Sequence, residues 1–305
     1  PMIVTSAASF LSACSHQSHP PRHAPTARAA FLVAPACSEL AAESRQDNAY
    51  MASAATIDLA RARAQHDELA RALGADLPVT LFAGAADCPD GMFPNNVFAT
   101  TRGRLIIGRM RHPVRQREAA RGDIRAWFRD LLGYAQVDLS QRDCVAELTG
   151  ALVIDRARGI GYCGLSERCD LAGAQAMHDA FGLRLTFAFA LAPGEYQTNV
   201  VLAVLAGRAA LIAADGFAEL ADAEAIASVY GSGAVWLDRE QKAAFAANAI
   251  TLAPQRVWMS RRAADALTPA QYLALARHGF AVGAVALDEV EQAGGSLRCC
   301  VAEIY

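Results

Sequence analysis

The sequence predicts an α/β protein arranged as a closed, propeller-like array of one repeated unit. A hairpin, a helix and a strand follow one another several times from Ala30 onward, with a period of about 50 residues. The hairpins are more numerous than an ordinary doubly wound sheet needs, which favours a radial array. No linker divides residues 29–305, so we expect a single domain there.

Apolar runs between turn residues predict the strands. The stretch "AFLVAP" (30–35) is the first, and "LPVTLFAG" follows it. Three hairpins are indicated by "NVFATTRGRLIIGRM", "GALVIDRARGIGYCGL" and "TNVVLAVLAGRAALIAADG", which turn at an Arg-Gly pair, near Gly159 and at Gly207. The remaining strands are predicted in "AQVDL", "LRLTFAFAL", "AVWLD", "AITLA", "RVWMS", "AVGAVAL" and a final "LRCCVAEIY".

Helices are predicted between the strands by the spacing of apolar residues. Within residues 56–74, Leu59, Ala62, Leu69 and Leu73 recur at helical intervals, and a glycine ends the pattern. Further helices are predicted at 115–133, 168–181, 218–230, 239–247 and 268–278.

Residues 1–28 differ from the rest of the chain, being rich in Ser, His, Pro and Ala. The "LSAC" ending at Cys14 has the form of a lipoprotein cleavage box, but no basic segment precedes it and its apolar stretch is short. We therefore expect a disordered or loosely attached tail.

Composition excludes several classes of protein. The net charge of −3 provides no field for nucleic acid or an anionic membrane, and no apolar run is long enough to span a bilayer. The eight cysteines form no CxxC pair and the histidines are scattered, so neither a metal site nor a cofactor is expected. Dispersed cysteines in a long chain favour a reducing, cytoplasmic location.

Four stretches place polar groups where a core strand begins or ends. They are "MFPNNVFATT" (92–101), "ELTGALVID" (147–155) with "GLSERCD" (164–170), "YQTNVV" (196–201) and "GGSLRCC" (294–300). Each belongs to a separate repeat. Because equivalent strand ends converge on the axis of a radial array, we expect these groups to meet in one cavity.

With these four stretches in order over about residues 30–305, the chain resembles the amidinotransferase and arginine deiminase superfamily, the penteins. It is most similar to the arginine deiminase-related citrulline-utilisation proteins, with dimethylarginine dimethylaminohydrolase a cousin. The resemblance implies five ββαβ units around an axial active site. It also implies a thiolate that attacks an amidino carbon, giving a covalent thiouronium that water hydrolyses.

The resemblance assigns roles to individual residues. Cys299 matches the nucleophile, and Cys300 is expected on the opposite face of the final strand. Both cysteines could instead be buried structural residues. Glu147 matches the carboxylate that binds the guanidinium, although it could instead be a solvated acid at the start of a strand. Arg109 and Arg168 match positions that hold a substrate carboxylate in the dimethylarginine-hydrolysing relatives, a task suited to guanidinium groups, although either could be a surface arginine.

Two further positions concern the rim of the pocket. Asn95 and Asn96 are expected to shape it. Relatives with an "F-x-x-D" pattern carry an Asp where this chain has Thr101, which weakens the case for free arginine as the substrate. Asp87 or Asp90, just upstream, is a candidate replacement.

Gln197 departs from the family, whose members carry a His there, commonly in "HTN" or "H-x-D". Thr198 and Asn199 fit the first pattern, and Gln197 does not. An amide cannot exchange a proton near neutral pH. Either the chain is an impaired or repurposed member, or the residue was changed to trap a complex.

Three functions stay open at this point. The first is hydrolysis of an amidino C–N bond in a small arginine-derived guanidino compound. The others are binding of such a compound without catalysis, and amidino transfer to an amine. A homodimer is also left open.

Overall fold

The computed structural model describes residues 2–16 and 23–305, and strands and short helices alternate along them. The strands are β1 Met2–Val4, β2 Ala29–Val33, β3 Val79–Phe82, β4 Phe98–Thr101, β5 Arg104–Ile107, β6 Ala135–Asp138, β7 Leu152–Asp155, β8 Ile160–Leu165, β9 Leu185–Ala190, β10 Leu202–Leu205, β11 Ala209–Ala213, β12 Ala234–Leu237, β13 Ile250–Ala253, β14 Arg256–Ser260, β15 Ala281–Val285 and β16 Ala302–Ile304. The helices are α1 Ala7–His16, α2 Ala42–Arg45, α3 Leu59–Leu73, α4 Pro113–Ala119, α5 Gly122–Ala126, α6 Leu148–Ala151, α7 Leu171–Phe181, α8 Leu220–Tyr230, α9 Arg239–Ala243, α10 Arg261–Ala266, α11 Pro269–Arg277 and α12 Asp288–Glu291.

The described strands form five separate sheets that share one topology. Their orders are β4-β5-β6, β1-β9-β8-β7, β10-β11-β12, β13-β14-β15 and β16-β2-β3. In each sheet two antiparallel strands are followed, after a helical segment, by a strand parallel to the second. The two ends of the chain complete the last sheet, because β16 pairs antiparallel with β2 and β3 pairs parallel with it. The fold is mixed α/β, and the three predicted hairpins are confirmed.

The hairpin between β10 and β11 illustrates how the sequence sets a turn. Leu205 pairs with Ala209, and both Ala206 (φ 48°) and Gly207 (φ 68°) adopt positive φ. Two successive positive φ values suit the right-handed twist of the flanking strands, and glycine adopts them without strain. Ala206 has this conformation without that advantage, and its amide donates to the Thr251 hydroxyl at 3.1 Å.

Two predicted elements are different in the structure. The helix expected at 115–133 is divided into α4 and α5 by Ala120 and Arg121, and a π-helical turn covers Trp127–Leu131. The predicted final strand 297–305 is wrong in its first half: Leu297–Cys300 form a 3₁₀ turn, and only Ala302–Ile304 are extended.

The N-terminal residues pack against the domain, so the prediction of a loose tail is wrong for residues 2–16. Strand β1 adds to the edge of its sheet beside β9, and helix α1 packs against α8. Phe10 is fully buried and stacks on Phe187 with ring centroids 4.8 Å apart. An open sheet edge and an apolar recess outweigh the polar composition of this segment. Residues 17–22 of the expected tail lie outside the described residues.

Short helical turns precede the first strands of the sheets and converge in the interior. Turns Pro94–Asn96, Leu148–Ala151, Thr198–Val200 and Leu297–Cys300 lead into β4, β7, β10 and β16. The turn at 94–96 packs against those at 148–151 and 297–300, and the turn at 148–151 also packs against 198–200. All four polar stretches of the sequence are therefore brought to one place.

Candidate active site

Glu147 lies at the start of helix α6 and is completely buried. Its Oε2 accepts hydrogen bonds from Gln197 Nε2 at 2.7 Å and from Arg168 Nη1 at 3.2 Å. Its Oε1 accepts from the backbone amide of Arg111 at 3.2 Å. A buried carboxylate needs such donors, and a guanidinium is among the strongest of them.

Gln197 is buried directly before the 198–200 turn, and its amide nitrogen is committed to Glu147. Gly150 makes this approach possible, because a Cβ at that position would collide with the Gln197 and Asn96 side chains. The carboxamide can orient the carboxylate and a bound molecule, but it cannot transfer a proton near neutral pH.

Cys299 lines the same small cavity as Gln197, and its sulfur is surrounded by amides. Asn248 Nδ2 lies 3.3 Å from Sγ, and Asn199 Nδ2 lies 3.6 Å from it. Amide donors at this distance stabilise a thiolate by charge-assisted hydrogen bonds. Among the described residues, no imidazole joins Cys299 in the lining of this cavity.

Cys300 points into the apolar interior, where burial raises the pKa of its thiol well above the ordinary value. The two neighbouring sulfurs do face different environments, but the reason is not strand alternation. The 3₁₀ turn at 297–300 separates the two side chains by rotation about the turn axis.

Asn248 is a site residue that the sequence interpretation missed. It is fully buried, and besides contacting Sγ it accepts from the Cys299 amide at 3.3 Å and donates to the Asn199 carbonyl at 2.9 Å. A regular spacing could have revealed it: Asn96, Glu147, Gln197, Asn248 and Cys299 follow one another at intervals of 51, 50, 51 and 51 residues. The spacing places all five residues just before the first strand of a sheet, although Glu147 and Gln197 lie farther from that strand than the other three do.

Arg168 is also brought to the cavity, but in a different role from the one predicted for it. Its guanidinium, 1% exposed, binds Glu147, donates from Nε to Asp47 Oδ1 at 2.7 Å and donates to the Ser44 carbonyl at 3.0 Å. Burial lowers its pKa, but the Glu147 and Asp47 carboxylates outweigh burial and hold that pKa above its ordinary value. Arg168 is therefore held by protein carboxylates, and its contact with a substrate carboxylate stays a prediction.

Asp47 connects Arg168 to the cavity rim. Its second oxygen lies 2.8 Å from His112 Nε2 and 3.2 Å from Arg111 Nε. Asn48, the next residue, donates to the Gly294 carbonyl at 3.1 Å. The segment 44–48 is consequently fixed over the cavity by polar contacts on both sides.

The remaining predicted residues divide between the cavity and other places. Asp90 and Asn96 line the cavity, and Asp90 accepts from the Ser44 hydroxyl at 2.5 Å. Asn95 is buried beside it, and neither atom of its side-chain amide has a partner among the described residues.

Arg109 does not reach the cavity. Its backbone bridges Ala146, and it lines a separate depression with Arg125 and Asp138. Arg109 is not among the residues that line the cavity of Cys299, and its role at a substrate carboxylate stays a prediction. Thr101, which stands where relatives carry an Asp, lines another pocket. Of the two aspartates proposed to replace that Asp, Asp87 is exposed and Asp90 lines the cavity.

Two negative findings apply to residues 2–16 and 23–305. No helix there combines the length and apolar character required to cross a bilayer. No group of three or more His, Cys, Asp or Glu side chains there has the arrangement of a metal site.

Comparison with known proteins agrees with this geometry. A family model described as "N,N dimethylarginine dimethylhydrolase, eukaryotic" matches residues 34–305. No curated protein matches the chain in a sequence search. Solved structures with the same fold are nonetheless numerous.

Three of these structures illustrate the likeness. The substrate-bound N-terminal domain of ArgZ, a cyanobacterial arginine dihydrolase, has 19% identity and a TM-score of 0.79, with 90% of this chain and 97% of that chain covered. Unliganded AgrE has 20% identity and a TM-score of 0.79, but this chain spans only 39% of its length. A dimethylarginine dimethylaminohydrolase adduct with S-methyl-L-thiocitrulline has 20% identity and a TM-score of 0.69, covering 92% and 100% of the two chains. The predicted superfamily is thereby confirmed.

Proposed function

The chain belongs to the N,N-dimethylarginine dimethylhydrolase family, and from this we propose that it is an amidino hydrolase with impaired proton transfer. Its substrate is a small arginine-derived guanidino compound held between Glu147 and Cys299. The observation that carries the proposal is that Gln197 and Cys299 line one small cavity and that Gln197 donates a hydrogen bond to the buried Glu147 carboxylate behind it.

The proposed reaction has two steps. The Cys299 thiolate attacks the amidino carbon, the C–N bond to the leaving amine breaks, and that amine takes up a proton. Water then attacks the resulting thiouronium carbon, loses a proton and releases the thiolate. Glu147 stabilises the positive guanidinium, and the amides of Asn199 and Asn248 stabilise the thiolate.

Gln197 limits this reaction at both proton transfers. A positioned acid–base group contributes about 10²–10⁴ in rate. An amide at this position leaves protonation of the amine and deprotonation of water to solvent. We therefore expect the covalent step to be detectable and complete turnover to be slow.

Substrate entry requires a rearrangement, because the cavity is only about 20 Å³, far below the roughly 300–1,000 Å³ of ordinary ligand pockets. Arg168 occupies the Glu147 oxygen that a substrate guanidinium would use. Displacement of residues 44–48, which cover the cavity and hold Arg168, would free that carboxylate.

Because Arg168 already binds the Glu147 carboxylate, a second candidate function is binding of a guanidino compound without catalysis. In that case an incoming guanidinium exchanges with Arg168 and Cys299 is not modified. Amidino transfer shares the covalent step of the first proposal and differs in using an amine in place of water.

Intact-mass measurement after incubation with arginine, methylated arginines and agmatine separates these candidates. A mass increase that disappears in Cys299→Ser and persists in Cys300→Ser supports the covalent mechanism. Citrulline, urea or ammonia release indicates hydrolysis, and loss of the adduct only when an amine is added indicates transfer. Binding with neither adduct nor product would leave the non-catalytic candidate.

A further inference from the structure

A second, larger pocket of about 590 Å³ is lined by residues that include Ile154 of β7 and Gly159 in the β7–β8 turn. Five arginines line it, together with the rings of Phe181 and Tyr305. The arginines are Arg28, Arg102, Arg104, Arg156 and Arg184. None of the residues that line it also lines the cavity of Cys299, so an inference about this pocket is independent of the proposed function.

Four of the five arginines that line this pocket lack a carboxylate partner among the described residues. Its lining contains no Asp or Glu, and Arg28, Arg102, Arg104 and Arg156 form no ion pair with a described carboxylate. Glu303, behind Tyr305, is already bound by Arg298 Nη2 at 2.9 Å and by the Tyr305 hydroxyl at 2.8 Å. Residues 1–28 supply no acid either, since their sequence contains neither Asp nor Glu.

The arginines that are fixed in place are held by neutral groups. Arg156 Nη1 donates to the Thr100 carbonyl at 2.9 Å, and its guanidinium lies 4.1 Å from the centroid of the Tyr305 ring. Arg28 donates to the Tyr134 hydroxyl at 3.1 Å. These contacts position the guanidinium groups without neutralising them, so their charge is available to a ligand.

Arg102 and Arg104 are different, because they project from the β4–β5 turn into solvent. No described side chain holds either one by a hydrogen bond or an ion pair. Both line the pocket as exposed donors without a described partner. Several guanidinium groups around one pocket form an arrangement suited to multivalent anions.

We propose that this pocket binds a small phosphate compound carrying several negative charges, of the class of nucleoside diphosphates and triphosphates. Guanidinium groups match phosphate oxygens in pairs, which is why arginine predominates where phosphates are recognised. The volume of about 590 Å³ falls within the range of pockets that hold small ligands. The Phe181 and Tyr305 rings both contact the Arg156 guanidinium, at centroid distances of 5.2 and 4.1 Å, and hold this donor in the pocket.

Calorimetric titration at about 0.15 M salt tests the proposal with ATP, pyrophosphate, inorganic phosphate and adenosine, since this ionic strength screens non-specific attraction. ATP or pyrophosphate should bind saturably, inorganic phosphate more weakly, and adenosine not at all. The double variant Arg102→Gln/Arg104→Gln should raise the Kd for ATP by at least about tenfold.

Arg142→Gln/Arg277→Gln is the matched control, because both arginines are exposed, lie outside the pocket and form no described ion pair. It removes the same charge and should change the Kd less than about twofold. Absence of binding by ATP and pyrophosphate would overturn the proposal. Equal weakening in the two double variants, or equal binding of a single-stranded oligonucleotide, would show general attraction of anions and overturn it as well.

Discussion

Arginine side chains have opposite surroundings in the cavity beside Cys299 and in the pocket beside Tyr305. Arg168 is buried and is bound by Asp47, Glu147 and a carbonyl. Arg102 is exposed and meets no described carboxylate. An unpaired buried charge is too costly to keep, whereas water solvates an exposed one at little cost. Carboxylate partners thus offset the cost of burying Arg168, whereas Arg102 keeps its charge in water without a described partner.

The largest effect should follow from Arg168→Met, which leaves Asp47 and Glu147 without their guanidinium partner. Breaking a buried pair by removing one member costs about 3–5 kcal/mol, so the free energy of unfolding should fall by that amount. Denaturant unfolding measures it. Arg129→Met is the control, since its ion pair with Asp130 lies on the surface and its loss should leave the midpoint unchanged. Equal effects in both variants would remove the distinction between the two regions.

Gln197→His should raise turnover of a guanidino substrate by about 10² or more. An imidazole beside Glu147 can protonate the leaving amine and then accept a proton from water, and Gly150 leaves room for the ring. The check is release of citrulline, urea or ammonia from arginine, methylated arginines and agmatine by both proteins. No gain on any substrate would favour the binding protein over the enzyme.

His66 provides a neutral counterpart to Arg168: it is fully buried in α3, and neither ring nitrogen has a partner among the described residues. Burial lowers its pKa to about 4. The unfolded chain, with a histidine pKa of about 6.5, therefore binds more protons between these values, and stability falls as the pH falls through this window. At pH 5 the loss should be about 2 kcal/mol relative to neutral pH.

His66→Leu tests this assignment by removing the titrating group. Unfolding in denaturant at pH 7 and pH 5 should show a smaller pH dependence in the variant than in the parent protein. His178, whose pKa burial also lowers, is present in both proteins and cancels in the comparison. An identical pH dependence would show that His66 gains a partner or solvent access in solution.

The smallest effect is expected from Arg102→Gln/Arg104→Gln measured without ligand. Exposed side chains that hold no partner contribute within about 0.5 kcal/mol, so the free energy of unfolding should stay the same. Denaturant unfolding beside Arg168→Met makes the comparison direct. A large destabilisation would mean that the two arginines support the fold. A ligand would then not be needed to explain why these two charges line the pocket.

Much of the fold could be predicted because the information is local. Alternating apolar strands and Arg-Gly or Ala-Gly turns specify the three hairpins, and the repeat of about 50 residues specifies equivalent units. The same period relates Asn248 to Glu147 and Gln197, but its surroundings contain no motif that draws attention to it. The interval of about 50 residues between the site residues therefore indicates Asn248, whereas the sequence on either side of Asn248 does not.

By itself, the sequence determined the superfamily, the ββαβ repeat and the stretches that supply the cavity, since backbone preference and apolar pattern act over short distances. Only the tertiary structure decided that Arg168 binds Glu147, that Arg109 faces elsewhere, that Cys299 sits on a turn, and that residues 2–16 complete a sheet edge. These outcomes depend on which distant charges and surfaces meet during folding. The sequence does not distinguish an arginine that will be buried against a carboxylate from one that will stay in water. The free-energy cost of the charge depends on surroundings that only the folded chain creates.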